Sequence, residues 1–121
     1  MIQDIVLAVE SHFSNNWTEC DVNYEQPNYT PTSKEWLELV IIPLLSTNNS
    51  LTNCTFEDFE IHTLVYSENK VKAGILTDKV VAFLQNTNIG NLRVKTWGTI
   101  SNGNLEDNST YFYKIYFDAQ A

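Results

Sequence analysis

The sequence predicts an α+β fold in which an antiparallel or mixed sheet of four to five strands packs against two helices. Two segments, 2–13 and 71–85, repeat apolar residues at helical spacing, and four others have the residue patterns of strands. The predicted elements follow the order α-β-β-α-β-β, with room for one extra edge strand. The chain has 121 residues, which fits one domain, 1–121.

The first predicted element is a short amphipathic helix of about three turns. Its apolar face repeats at helical spacing and comprises Ile2, Ile5, Val6, Val9 and Phe13. We expect the helix to end near Asn15-Asn16, because asparagine tolerates the left-handed conformation that stops helices.

An irregular connector is predicted over residues 18–33, because Pro27 and Pro31 lack the N–H that a sheet ladder requires. A short edge strand fits within it at 20–24. The most hydrophobic segment, 35–45, then forms a strand with two faces that are both largely apolar beyond Glu38. This pattern favours a place in the middle of the sheet or at an interface, with Pro43 ending the pairing or creating a bulge.

A polar loop at 46–53 leads into a second strand, 55–66, which we expect to form a long hairpin with the first. One face of this strand carries Phe59, Ile61, Thr63 and Val65, with Glu57 near its start. The opposite face carries Asp58, Glu60 and His62 and is predicted to be half-exposed.

The second helix is predicted over 71–85, after the helix-start signal Ser67-Glu68-Asn69. Lys72 and Lys79 are expected to face water. The buried stripe is expected to comprise Leu76, Val80, Phe83 and Leu84, with Ile75 alongside. Two final strands, 92–100 and 110–118, close the fold as a hairpin. The Asn-Gly step within 101–104 predicts its turn.

Charge and composition exclude two classes of function. Fifteen acidic residues against seven basic ones give a net charge of −8 and a pI near 4.5. A nucleic-acid binder needs a clustered cationic surface, so nucleic-acid binding is disfavoured. No apolar run reaches the roughly 18 residues of a membrane-spanning helix, so we expect no membrane contact.

The cysteines and asparagines leave two interpretations open. Cys20 and Cys54 follow no apparent secretion signal, which favours two reduced, buried thiols over a disulfide. Five sites match the Asn-glycosylation pattern, beginning at Asn16, Asn28, Asn48, Asn53 and Asn108. We interpret them as incidental to an Asn- and Thr-rich composition. A secreted, glycosylated binding domain stays as an alternative that would require a Cys20–Cys54 bond.

The sequence predicts no catalytic, cofactor-binding or metal-binding residues. We therefore expect that the protein is not an enzyme. The two histidines and two cysteines lack the short spacing of zinc sites. His62 is expected to be solvated or hydrogen-bonded, and His12 to interact with the dipole at its helix end. Strand alternation separates Glu57 from Asp58 and Glu60, so these carboxylates do not converge on a cation. A small hydrolase, with His62 paired to Cys54 or a carboxylate, is the remaining enzymatic alternative.

The order of elements resembles that of the phage tail terminator-like proteins, small α+β subunits related to the minor tail proteins of siphophages. The resemblance rests on six features in chain order. They are the N-terminal helix, the aromatic- and Pro-rich connector (Trp17, Val22, Tyr24, Pro27, Tyr29, Pro31), the strand from Glu35 to Pro43, the strand that ends in Val65-Tyr66-Ser67, the helix containing Ala73 and 76–80, and the closing hairpin. It covers nearly the whole chain. Relatives commonly have a basic residue and a glycine where this chain has Thr55-Phe56-Glu57-Asp58.

The resemblance implies a structural protein of the virion tail that is assembled in the host cytoplasm. Family members form a homo-oligomeric ring, typically a hexamer, that caps the tail tube, ends its growth and presents a head-joining surface. The implied partners are other copies of the chain, the tail tube protein and a head completion or connector protein. The charge of −8 suggests a negative pore that passing DNA does not stick to. A different head–tail connector or tail completion subunit is the alternative within the same class.

Overall fold

The computed structural model describes residues 2–26, 29–30, 34–47, 54–104 and 110–121. Two helices, α1 (Ile2–Asn16) and α2 (Lys70–Leu84), lie in these ranges. The strands are β1 (Asp21–Asn23), β2 (Trp36–Thr47), β3 (Cys54–Ser67), β4 (Asn88–Ile89), β5 (Leu92–Asn104) and β6 (Tyr111–Gln120). The predicted α+β fold and element order are confirmed. The short strands β1 and β4 raise the number of strands in the sheet to six.

All six strands form one mixed sheet in the order β1-β2-β3-β6-β5-β4. β1 runs parallel to β2, and the other neighbouring strands are antiparallel. β2 and β3 form the expected long hairpin, with Trp36 opposite Tyr66 and Thr47 opposite Cys54. The four long strands β2, β3, β6 and β5 are therefore the body of the sheet, and the two short strands lie at its borders.

The core lies between the helices and one face of the sheet, because alternate residues of each long strand point to it. On β3 the predicted inward residues Phe59, Ile61, Thr63 and Val65 are all buried. The core also takes Val9 and Phe13 from α1, Leu76, Val80 and Leu84 from α2, Leu37 and Leu39 from β2, and Ile115 and Phe117 from β6.

The second helix buries Leu76, Val80 and Leu84 of the predicted stripe and half-buries Phe83, but Ile75 differs from the prediction. Its buried residues are Ala73, Leu76, Thr77, Val80 and Leu84. Ile75, expected beside the buried stripe, is 52% exposed. Thr77 is buried because its hydroxyl donates to the Ala73 carbonyl at 2.8 Å, so the small and polar residues of this face can contact the sheet.

The first helix ends at Asn16, as predicted, but without a left-handed asparagine, because Asn15 and Asn16 do not have positive φ. The left-handed residue that follows a helix is Asn86 (φ 56°), after α2. The Asn69 side chain caps the start of α2 by accepting hydrogen bonds from Val71 N at 2.8 Å and Lys72 N at 3.2 Å.

The structure distinguishes between the two expectations for Pro43 and corrects the prediction of a turn at Asn102-Gly103. Pro43 does not end the pairing of β2, which continues to Thr47, but the register shifts between Leu44 and Ser46, which agrees with the other expectation for Pro43, a bulge. The Asn102-Gly103 step is not a turn. It lies within β5, where Asn102 is opposite Tyr113 and Gly103 opposite Phe112. The connection between β5 and β6 therefore falls at 105–109, outside the described residues.

Both borders of the sheet leave a long strand without an outer neighbour in the described residues. β1 pairs with β2 only at residues 36–38, and β4 pairs with β5 only at Leu92 and Arg93. We call residues 39–47 of β2 the β2 edge and residues 95–104 of β5 the β5 edge, because the Val94 N–H already donates to the Thr87 carbonyl at 2.8 Å. Neither edge has a neighbouring strand among the described residues, so a further strand could pair with its backbone N–H and C=O groups.

Candidate interaction surface

The helices cover one face of the sheet. We call the other face the open sheet face; it carries the residues that alternate with the buried ones along each strand. Its residues are half-buried or exposed, apart from Tyr66 at 8% exposure. β2 contributes Trp36, Glu38, Val40, Ile42 and Leu44; β3 contributes Asp58, Glu60, His62, Leu64 and Tyr66; β6 contributes Phe112, Lys114, Tyr116, Asp118 and Gln120.

One end of the open sheet face is a row of aromatic rings. Trp36, Tyr66 and Phe112 lie opposite one another on three adjacent strands. The Trp36 and Tyr66 rings stack with centroids 4.0 Å apart, and the Phe112 ring lies 6.4 Å from that of Tyr66. Tyr29, from the connector, extends the row with its ring 5.6 Å from that of Trp36. These contacts preorganise a rigid aromatic surface.

A buried polar contact fixes the orientation of this row. The Tyr66 hydroxyl donates a hydrogen bond to Glu38 Oε2 at 3.0 Å. Burial raises the pKa of Tyr66, and the neighbouring Glu38 carboxylate raises it further. The hydroxyl therefore stays protonated and keeps donating at any physiological pH.

The middle of the open sheet face holds His62 in contact with its neighbours. His62 Nε2 lies 2.8 Å from Glu60 Oε2, and its ring packs edge-on against Tyr116 with centroids 4.2 Å apart. Lys114 Nζ lies 5.2 Å from the Tyr116 ring centroid. These contacts agree with the expected hydrogen-bonded histidine. Cys54 lies eight residues from His62 on the same strand, a Cα separation of about 26 Å that excludes a Cys–His catalytic pair.

The far end of the open sheet face is acidic. Glu60 lies opposite Asp118, and Asp58 opposite Gln120. A shallow groove of about 290 Å³ opens here between Leu44, Asp58, Phe59, Lys95, Asp118 and Ala119. No three potential metal ligands come together among the residues that the structure describes. The side chain of Glu57, the third acidic residue of the predicted cluster, lies outside the described set.

His12, on the helix side of the molecule, does not have the predicted contact with the helix dipole. Its ring packs against Phe83 with centroids 4.7 Å apart, and its buried Nε2 has no hydrogen-bond partner. Burial lowers the pKa of His12, which favours the neutral ring over the cation that a helix end would attract.

Cys20 is a free thiol, half-buried beside the core. Burial raises its pKa to about 11, so at neutral pH the thiol is protonated and weakly nucleophilic. A free Cys20 agrees with the predicted reduced state, whereas the Cys54 side chain lies outside the described set.

Comparison with protein-family models and with curated proteins finds no match to this chain. None of the helices in the described residues is long and apolar enough to cross a membrane.

The arrangement is suited to contact with another protein. The aromatic row and the apolar side chains of β2, Val40 and Ile42, provide area to bury, and the acidic end provides polar groups that can orient a partner. The sequence indicated half of this surface, because segment 35–45 is apolar on both faces. It missed the contribution of Leu64, Tyr66 and Phe112, which becomes visible only when the strand order places them beside Trp36 and Val40.

Proposed function

We propose that this protein is a structural subunit of the phage tail-terminator type, not an enzyme. Copies of the chain assemble into a closed ring, typically a hexamer in the proteins it resembles, that caps the end of a tail tube in the virion. The ring ends the growth of the tube and presents the surface to which a head completion or connector protein attaches.

The observation that carries the proposal is the uncovered apolar part of the open sheet face. Trp36, Val40, Ile42 and Leu64 are half-buried, and Leu44 is 37% exposed, on a face that no described helix covers. Apolar side chains that lie uncovered on a sheet face can be buried further when another protein binds there. The hydrogen-bonded Tyr66 and His62 add rigidity, which lowers the entropy cost of binding.

The net charge supports the part of the proposal that concerns DNA. A subunit with a charge of −8 gives a ring of six about −48, so the ring repels phosphate groups at close range. Asp58 and Glu60 lie on the open sheet face, where their charges can contribute to that field. We propose that DNA passes the ring without binding to it.

The experiment that tests this function is a tube-capping assay. Tail tube protein from the same virus is polymerised with and without this chain, and the lengths and ends of the tubes are measured by electron microscopy. The proposal predicts shorter tubes with a density at one end. Tubes of unchanged length and bare ends contradict it. Binding only to the head connector assigns the chain to the alternative, a head–tail connector subunit.

A further inference from the structure

We propose that copies of this chain join through their sheet edges: the β2 edge of one copy pairs antiparallel with the β5 edge of the next. This inference rests on the proposed ring assembly and specifies its subunit contact. The occupant of each edge is a second copy of the chain, and the contact is a continuation of the sheet from subunit to subunit.

The two edges match in length. Among the described residues, 39–47 form an unpaired outer edge of nine residues on β2, and 95–104 form one of ten residues on β5. Monomeric proteins generally keep edge strands short or protect them with charges. Two unpaired edges of this length on opposite borders of one sheet can pair with each other only in different copies.

The strand directions also match. β2, β3, β6 and β5 are neighbours in this order, and each neighbouring pair is antiparallel, so β5 runs opposite to β2. A rotation axis along the strands preserves strand direction and therefore places β5 of one copy antiparallel to β2 of the next. Because the two edges differ, this contact is head-to-tail, the kind that closes into a ring or continues as a filament.

Charge favours the same two edges. Each copy carries −8, so two copies repel over most of their surfaces. Residues 39–47 contain no charged side chain, and residues 95–104 contain only Lys95, whose positive charge is favourable beside an acidic neighbour. The edges are therefore places where two acidic copies can approach without facing like charges.

Pro43 and the register shifts limit where the edges pair. Proline has no N–H, so a paired strand tolerates it where the backbone nitrogen points away from the neighbouring strand. For Pro43 that neighbour is β3. Leu39 and Ile41 share this alternation, and their backbone groups face outward with that of Pro43. The register of β5 shifts between Val94 and Trp97 and between Trp97 and Ile100, and irregularities of this kind commonly bend a strand. We expect the contact to centre on residues 39–42.

Disulfide cross-linking tests the contact directly. In a background in which Cys20 and Cys54 are replaced by serine, Val40→Cys is combined with a cysteine at each position from 96 to 102 in turn. Within one copy β2 and β5 are three strand spacings apart, about 14 Å, which is beyond the roughly 7 Å limit for a disulfide. Any cross-link between these strands therefore joins two copies.

The expected result is a ladder of cross-linked oligomers for one or two of the seven double variants, seen on non-reducing gels after mild oxidation. The matched control combines Leu64→Cys, in the middle of the sheet, with the same scan, and should give no ladder. Circular dichroism checks that each variant is folded, and native mass spectrometry records its assembly state.

The possible outcomes distinguish the proposed edge contact from the proposed ring. Rings without any β2–β5 cross-link overturn the edge contact and leave the proposed function standing. Efficient dimers from Val40→Cys alone overturn it in favour of a symmetric β2–β2 contact. Cross-linked filaments without closed rings support the edge contact and contradict the capping ring. A chain that stays monomeric without cross-links overturns both.

Discussion

The two faces of β3 should respond very differently to the same truncation. Ile61 is fully buried and lies between Ile41 and Phe117 in the sheet. Leu64 is half-buried on the open sheet face, between Glu38 and Lys114. We predict that Ile61→Ala strongly destabilises the chain, whereas Leu64→Ala has a small effect on the free energy of unfolding.

The magnitudes follow from burial. Ile61→Ala removes three buried carbons, which costs about 2.4 kcal/mol at about 0.8 kcal/mol per carbon, and the cavity left in the core raises the cost to about 3–4 kcal/mol. The melting entropy of a chain of 121 residues is about 0.25 kcal/mol/K. The melting temperature should therefore fall by about 12–16 °C. Leu64→Ala leaves no closed cavity and should cost about 1 kcal/mol, or about 4 °C.

Thermal unfolding followed by circular dichroism, with urea unfolding as a second method, measures both variants at a concentration where the chain does not associate. The reasoning is refuted if Leu64→Ala destabilises the isolated chain as much as Ile61→Ala. That result would mean that the open sheet face is covered within the chain and is not a surface for partners.

Three further predictions concern single side chains. Asn69→Ala removes the cap of α2 and should lower the free energy of unfolding by about 1 kcal/mol, whereas Asn69→Ser keeps a capping oxygen and should recover most of it; a loss shared by both variants contradicts the capping role. The pKa of His12 is lowered in the folded chain, so His12 binds a proton more readily when the chain is unfolded. The stability that neutral His12 contributes is therefore present above pH 6.5 and is lost as the pH falls below this value. The urea midpoint of His12→Asn should therefore fall less steeply between pH 7 and pH 5 than that of the unsubstituted chain, and equal slopes would show that His12 is not shielded. The pKa of Cys20 is raised from 9.0 to about 11, which lowers its thiolate population about a hundredfold. In a Cys54→Ser variant, iodoacetamide should therefore label the folded chain far more slowly than the urea-unfolded chain. Equal labelling rates would contradict the burial of the thiol.

Much of the fold could be predicted from the sequence because local patterns determine it. The apolar repeat of Val9 and Phe13 and the alternation through Phe59, Ile61 and Val65 place the same residues in the core that the structure buries. Such periodicities report which face of an element is buried, and burial is the largest favourable term in folding.

The errors arose where non-local pairing outweighs a local signal. Asn102-Gly103 favours a tight turn, yet β6 provides pairing partners as far as Tyr111, and the strand continues through the step. Ile75 is apolar, yet the sheet contacts the helix face of Ala73 and Thr77, which leaves Ile75 exposed. A two-residue strand such as β4 has no periodicity from which to be predicted.

The interaction surface was only partly predictable for a related reason. The sequence shows that residues 35–45 are apolar on both faces, which indicates an interface. It does not show that β1 and β4 are too short to cover β2 and β5, because edge coverage depends on the strand order and on registers between distant segments.

The most direct test of the account is native mass spectrometry over a concentration series, combined with negative-stain imaging of the concentrated protein and of the protein mixed with tail tubes. The account predicts a closed ring of identical subunits with a central hole, whose population rises with concentration or on contact with tubes. A monomer under all these conditions, including the presence of tubes, would contradict it.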